Sequence, residues 1–138
     1  MDKKRILLID DETTFTRVLK SYLEKTGRYE VREERSGAQA VAAAAAFQPH
    51  LIFLDVIMPD LDGGTAAERI RADARLRHIP IVFLTAVVSR EVTSAHAGLI
   101  GGQAFIAKPI SMKEVLDCIE QHLEIEGHHT HFAASREE

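Results

Sequence analysis

The sequence predicts an α/β fold in which a five-stranded parallel sheet is covered by helices on both faces. Two observations carry the prediction. Short apolar, β-rich runs alternate with segments of helical periodicity along the chain, the order a parallel sheet requires because each strand must be followed by a crossover. Three of the runs, at residues 5–10, 51–55 and 81–85, are almost continuously apolar, as strands buried on both faces must be.

Taken in order, the first strand spans residues 5–10 and ends on Asp10. Phe15, Val18, Leu19, Tyr22 and Leu23 then recur at i, i+3, i+4, i+7 and i+8, which places them on one helical face, and Gly27 is a plausible stop. The second strand, 29–33, is more polar and is expected at a sheet edge. The helix around 36–47 carries the alanine-rich run 42–46, where helix propensity replaces bulk and allows close packing on the sheet. The third strand, 51–55, is followed by a turn rich in Pro, Asp and Gly and then by another helix. After the fourth strand, 81–85, the segment 89–102 is the weakest helix, since Val92, Thr93 and Ser94 are modest helix formers and Gly98, Gly101 and Gly102 cost stability. The fifth strand, 104–108, leads into a last helix with Met112, Val115, Leu116, Ile119 and Leu123 on one face, Ser111 as N-cap and Glu114 completing a capping box.

A chain of 138 residues fits one domain, read here as residues 1–125, with 126–138 as a disordered tail. His128, His129 and His131 fall in that tail and are read as part of it rather than as a metal site. A net charge of -4 argues against direct binding to nucleic acid or to an anionic membrane. The apolar run 6–9 is too short for a signal-peptide core or a membrane span, and one cysteine, Cys118, forms no internal disulfide, so the expected compartment is the cytoplasm. Cys118 lies in an apolar helical pattern without a His or Lys recognisable as a thiolate partner, and is read as a packed core thiol.

Five residues that carry chemistry stand at predicted strand ends: Asp10 and Asp11 after the first, Asp55 after the third, Thr85 after the fourth and Lys108 after the fifth. In a doubly wound sheet, ligands bind beyond the carboxyl ends of the strands, commonly between the first and third. Three carboxylates gathered there repel one another, and either a raised pKa or a bound cation relieves the repulsion. Oxygen donors favour Mg²⁺ or Mn²⁺ over zinc. Asp10 and Asp11 alone could equally be a polar loop with a helix cap. Asp55, directly after Leu51-Ile52-Phe53-Leu54, is harder to dismiss, because a carboxylate leaving a buried strand is costly without a partner.

The segment Asp55-x-x-Met58-Pro59-x-x-Asp62-Gly63 resembles the phosphorylation-site segment of the receiver domains of two-component response regulators. Asp10-Asp11, Thr85-Ala86 and Lys108-Pro109 fall in the family's order and spacing. The resemblance implies a flavodoxin-like sheet with strand order 2-1-3-4-5, and a phosphorylation-activated switch. Asp55 would accept a phosphoryl group from a sensor histidine kinase or a histidine phosphotransfer protein. Asp10, Asp11, Asp55 and the backbone carbonyl of Ile57 would hold Mg²⁺, and Lys108 would pair with a phosphoryl oxygen. Thr85 would donate its hydroxyl to the phosphate, with Phe105 moving in response, and the signal would pass to an unidentified downstream protein through the face of the fourth helix, fifth strand and fifth helix. A cis Lys108-Pro109 bond is also implied.

Some positions depart from the common pattern. Phe105 stands where many relatives carry Tyr, Ile57 and Val87 are apolar where polar residues are frequent, and the stretch between Thr85 and Lys108 is about one residue longer. Two other functions share the same residues: a small Mg²⁺-dependent phosphohydrolase with an aspartyl phosphate intermediate, and a binding scaffold that is never phosphorylated. Against the first, no second acid stands two residues beyond Asp55; against the second, no acidic or lysine position is lost.

Overall fold

The computed structural model describes residues 2–86, 99–100 and 103–123. Its elements are β1 (Lys4–Ile9), α1 (Thr13–Lys25), β2 (Tyr29–Glu34), α2 (Ala40–Phe47, entered through a 3₁₀ turn at Gly37–Gln39), β3 (Leu51–Asp55), α3 (Gly63–Ala72), β4 (Ile81–Thr85), β5 (Leu99–Ile100), β6 (Gln103–Ala107) and α4 (Met112–Leu123). Strands run in the order β2-β1-β3-β4-β6-β5. Five of them are parallel and have the predicted 2-1-3-4-5 order once β6 is counted as the fifth predicted strand. β2 lies at the edge, as its polar alternation required.

The sheet divides two apolar layers. On one face Leu7, Ile9, Ile52, Leu54 and Phe83 pack with Ala40, Ala43 and Ala44 of α2 and with Ala66, Ala67 and Ile70 of α3. On the other, Ile6, Leu8, Phe53, Val82 and Ile106 pack with Leu19 and Leu23 of α1 and Val115 and Ile119 of α4. Alternate strand residues go to opposite faces, so β1 and β3 contribute to both layers. The buried alanines confirm that α2 approaches the sheet through small side chains.

Helix ends follow their signals. Gly27 has φ of +79° just beyond the end of α1, a left-handed conformation that glycine adopts without penalty. Ser111 Oγ accepts from the Glu114 backbone N–H at 3.1 Å while Glu114 Oε1 accepts from the Ser111 N–H at 2.9 Å, a complete capping box. At the opposite edge of the sheet from the strand carboxyl ends, Arg5 Nε donates to the carbonyls of Phe47 and Gln48. The Arg5 backbone N–H donates to His50 Nδ1 at 2.9 Å, and the His50 N–H returns to the Arg5 carbonyl at 2.8 Å.

Three expectations are corrected. The first and fifth strands end one residue earlier than predicted, leaving Asp10 and Lys108 in the loops just past Ile9 and Ala107. On α1, Val18 and Tyr22 are exposed at 54% and 40%, while Thr16 is buried. The helix is rolled toward Thr16 because that hydroxyl is satisfied, donating to Glu33 Oε2 at 2.6 Å, so its burial carries little cost. Leu99 and Ile100, assigned to a weak helix, instead pair antiparallel with Ala104 and Gln103. The intervening Gly101-Gly102 dipeptide weakens a helix but is equally a two-residue hairpin signal in the sequence. The rest of the predicted helix at 89–102, and the tail at 126–138, lie outside the described residues. Among the described residues, no helix is long and apolar enough to cross a membrane.

Candidate functional site

The register of the sheet brings the site together. Ile9 pairs with Leu54, Asp55 with Leu84, and Thr85 with Ala107, so the carboxyl ends of β1, β3, β4 and β6 open at one edge. Asp10, Asp11, Asp55, Thr85 and Lys108 therefore meet there from positions up to 98 residues apart. Carboxylate oxygens of Asp10, Asp11 and Asp55 lie within 4.8 Å of one another. Asp10 and Asp55 are buried and Asp11 is exposed, which makes the cluster a pocket with one solvent-facing member.

Burial is the main cause of the raised pKa of Asp10, opposed by the Glu12 backbone N–H, which donates to Asp10 Oδ1 at 2.9 Å, and by Lys108. The Asp55 carboxyl is pushed up to about 6, first by burial and then by the charge of Asp10, with Lys108 and the Ile57 backbone N–H opposing. Both shifts mark carboxylates whose burial and mutual repulsion outweigh the positive charge beside them. A hard cation with oxygen preference matches both the donor set and the repulsion.

Lys108 partly supplies that charge. Its Nζ donates to Asp10 Oδ2 at 2.9 Å and to Glu12 Oε1 at 2.7 Å, lies 3.5 Å from Asp55 Oδ1, and stands 5.2 Å from the centre of the Phe15 ring. Burial pulls its pKa down, but the bonds to Glu12 and Asp10 and the carboxylate charges push it up by more, so it remains an ammonium at every working pH. The Lys108-Pro109 peptide is cis, and the Lys108 backbone N–H donates to the Thr85 carbonyl at 2.8 Å.

Thr85 is buried at the end of β4. Phe105, partly buried on β6, has its ring centre 5.4 Å from that of Phe83 and packs against the α2–α3 layer. Ile57 is 61% exposed beside the pocket. The turn after Asp55 is fixed by close backbone approach: a Cβ on Gly63 would lie 2.3 Å from the Asp55 carbonyl oxygen, so only glycine fits where α3 begins. Asp62 caps that helix by accepting from the Thr65 N–H at 2.9 Å. Asp60 Oδ2 accepts from the Ser36 hydroxyl at 2.6 Å and from the Ala38 N–H at 3.1 Å, and Asp60 Oδ1 from the Gly37 N–H at 3.2 Å. Those bonds hold its carboxyl down at about 2.

Glu12 and Phe15 were missed from sequence as neighbours of Lys108. Glu12 reads as a surface residue before a helix, and only the placement of β6 beside β4 brings the lysine to it. Cys118 does have a histidine neighbour, one turn on: His122 Nδ1 is 3.6 Å from its sulfur. The same nitrogen is 2.9 Å from the Cys118 carbonyl, and burial pushes the thiol up to about 12, so it stays an inert thiol.

Residues 6–120 match the response regulator receiver domain. The chain belongs to the response regulator receiver family. Among curated receivers it is 34% identical over 113 residues to the DNA-binding dual master transcriptional regulator RpaA of Synechocystis, covering 81% of this chain and 46% of that protein. The chain thus spans less than half the length of such relatives. It is 29% identical over 121 residues to the polar-differentiation response regulator DivK of Brucella ovis, covering 87% of this chain and 96% of that one. Among solved receivers, the domain from a Pseudomonas aeruginosa sensor histidine kinase, with a magnesium ion coordinated in its active site cleft, is 28% identical at a TM-score of 0.73, covering 90% of this chain and all of that one. The Asp10, Asp11 and Asp55 carboxylates of this receiver form an oxygen-donor set consistent with a magnesium site.

Proposed function

We propose that the chain is a phosphorylation-activated switch of a two-component system, accepting a phosphoryl group onto Asp55 from a sensor histidine kinase or a histidine phosphotransfer protein in the cytoplasm. The observation that carries this reading is the gathering of Asp55 with two further carboxylates within 4.8 Å and with the Lys108 ammonium at 3.5 Å, all at the strand carboxyl ends. An Asp55 oxygen would form the new P–O bond as the donor's P–N bond breaks, the electron pair leaving on the imidazole nitrogen.

Asp10, Asp11, Asp55 and the Ile57 carbonyl would hold Mg²⁺, with Mn²⁺ as a substitute, and the ion would supply positive charge to phosphoryl oxygens. Lys108 would meet one phosphoryl oxygen as a point charge. Buried Thr85 would offer its hydroxyl to another, and Phe105, already partly inside against Phe83, would reorient with it. The receiver assists its own phosphorylation and dephosphorylation and does not turn over a separate substrate. Its output would pass to a downstream protein through the side of the domain that includes β6 and α4.

Intact-mass measurement after treatment with acetyl phosphate and Mg²⁺ tests the reading. One phosphoryl adduct is expected on the wild type and none on Asp55→Asn, because the amide keeps the shape and removes the nucleophile. A full adduct on Asp55→Asn would show that the acceptor is another residue.

A further inference from the structure

The Lys108 ammonium sits closer to Glu12 and Asp10 than to Asp55. It has three N–H donors, and its two hydrogen-bonded carboxylates are Glu12, at 2.7 Å, and Asp10, at 2.9 Å, whereas Asp55 is at 3.5 Å. These two holders differ. Asp10 is fully buried and also accepts from the Glu12 backbone N–H, so it belongs to the fixed wall of the pocket. The Glu12 side chain is 61% exposed, so it gives up the lysine to solvent at little cost.

We propose that Glu12 is a positioning residue that acts through Lys108, as a displaceable counter-ion competing with phosphoryl oxygens for the ammonium. The proposal rests on the assignment of Asp55 as phosphoacceptor. In the unphosphorylated protein Glu12 and Asp10 fix the resting place of the ammonium, between the Phe15 ring and the acidic pocket. When a phosphoryl group arrives on Asp55, its oxygens must outbid Glu12 for one donor, and Glu12 turns into solvent. Exposed ion pairs of this kind are weak, so the competition tunes the population of the phosphoryl-bound arrangement without blocking it.

Glu12→Gln tests this, since the amide preserves length and removes the charge. In saturating Mg²⁺, with beryllofluoride as the phosphoryl mimic, Glu12→Gln should bind about two- to five-fold more tightly than wild type by calorimetry, the factor that loss of an exposed ion pair allows. The difference should close as salt is raised, because an exposed pair is screened. The side-chain ¹⁵N resonance of Lys108 should also differ between the two free proteins and converge in their beryllofluoride complexes, a signature that a purely structural Glu12 would not produce. Equal or weaker binding by Glu12→Gln would overturn the proposal and leave the phosphoacceptor assignment standing. Failure of the wild type to bind beryllofluoride at all would overturn both, and Asp55→Asn, which should not bind, marks the baseline.

Discussion

Asp55 and His50 make opposite contributions to the pH dependence of stability, and each can be isolated by one substitution. The Asp55 carboxyl sits at about 6, above the ordinary 3.8, so the metal-free folded state holds its proton more tightly than the unfolded chain. Stability from this group is therefore greatest at low pH and falls as pH rises from about 4 to about 6. Asp55→Asn should remove that slope and, with Mg²⁺ chelated, be about 1–3 kcal/mol more stable than wild type near neutral pH, as the size of the shift allows; urea unfolding at pH 4 and pH 7.5 measures it. His50 behaves the other way. Burial, aided by Arg5 and Lys4, lowers its pKa below 6.5, because the ring must stay neutral at Nδ1 to accept the Arg5 N–H. Its contribution is complete above pH 6.5 and is lost as pH falls toward the lowered value. His50→Asn should flatten that part of the acid limb of a thermal-melt series; an unchanged limb would show that protonation of His50 does not contribute to acid unfolding. At this scale the sequence was legible wherever a polar residue followed an apolar run, as at Asp55 and Lys108. His50, Glu12 and Phe15 carry no such mark, since their partners are set by strand placement.

Among the elements, β4 and β6 are the ones that would carry the proposed transmission. Thr85 and Phe105 stand on these adjacent strands, with Phe83 pairing to Phe105 in register, so a hydroxyl drawn toward a phosphate at Asp55 acts on the strand next to the aromatic ring. Thr85→Ala should still accept phosphate, because the nucleophile and the acidic pocket are intact, and should fail to alter β6. Hydrogen exchange over Gln103–Ala107, with and without beryllofluoride, is expected to change in wild type and to change much less in Thr85→Ala, since a ligand shifts an equilibrium only by its differential contacts. Equal changes would remove Thr85 from the coupling. The strands were easy to read because burial on both faces leaves nearly pure apolar runs. Helix faces were harder: periodicity located α1 but not its roll, which depends on the bond from Thr16 to Glu33 across to β2. The β5–β6 pairing was missed because two residues give no periodicity to read, and glycine weakens a helix as readily as it makes a hairpin.

For the molecule as a whole, the site and the fold draw on the same free energy. Three carboxylates within 4.8 Å destabilise the metal-free protein, so Mg²⁺ should raise the Tm by binding linkage. Asp11→Ala should lose most of that rise, with Mg²⁺ affinity lower by roughly tenfold or more, because the protein supplies few oxygens to such an ion. Calorimetric melts across a Mg²⁺ series check this, and an undiminished rise in Asp11→Ala would place the ion elsewhere. The Asp60 clamp gives the molecule a mechanical character as well. Its carboxylate gathers the Ser36 hydroxyl and the Gly37 and Ala38 N–H groups at once, while a Cβ on Gly37 would lie 2.4 Å from the Leu61 carbonyl oxygen. The loop that follows Asp55 and the entrance to α2 are thus riveted to each other. A load applied at Asp55 would meet more resistance on the α2 side, which would leave β4 and β6 to take up the displacement.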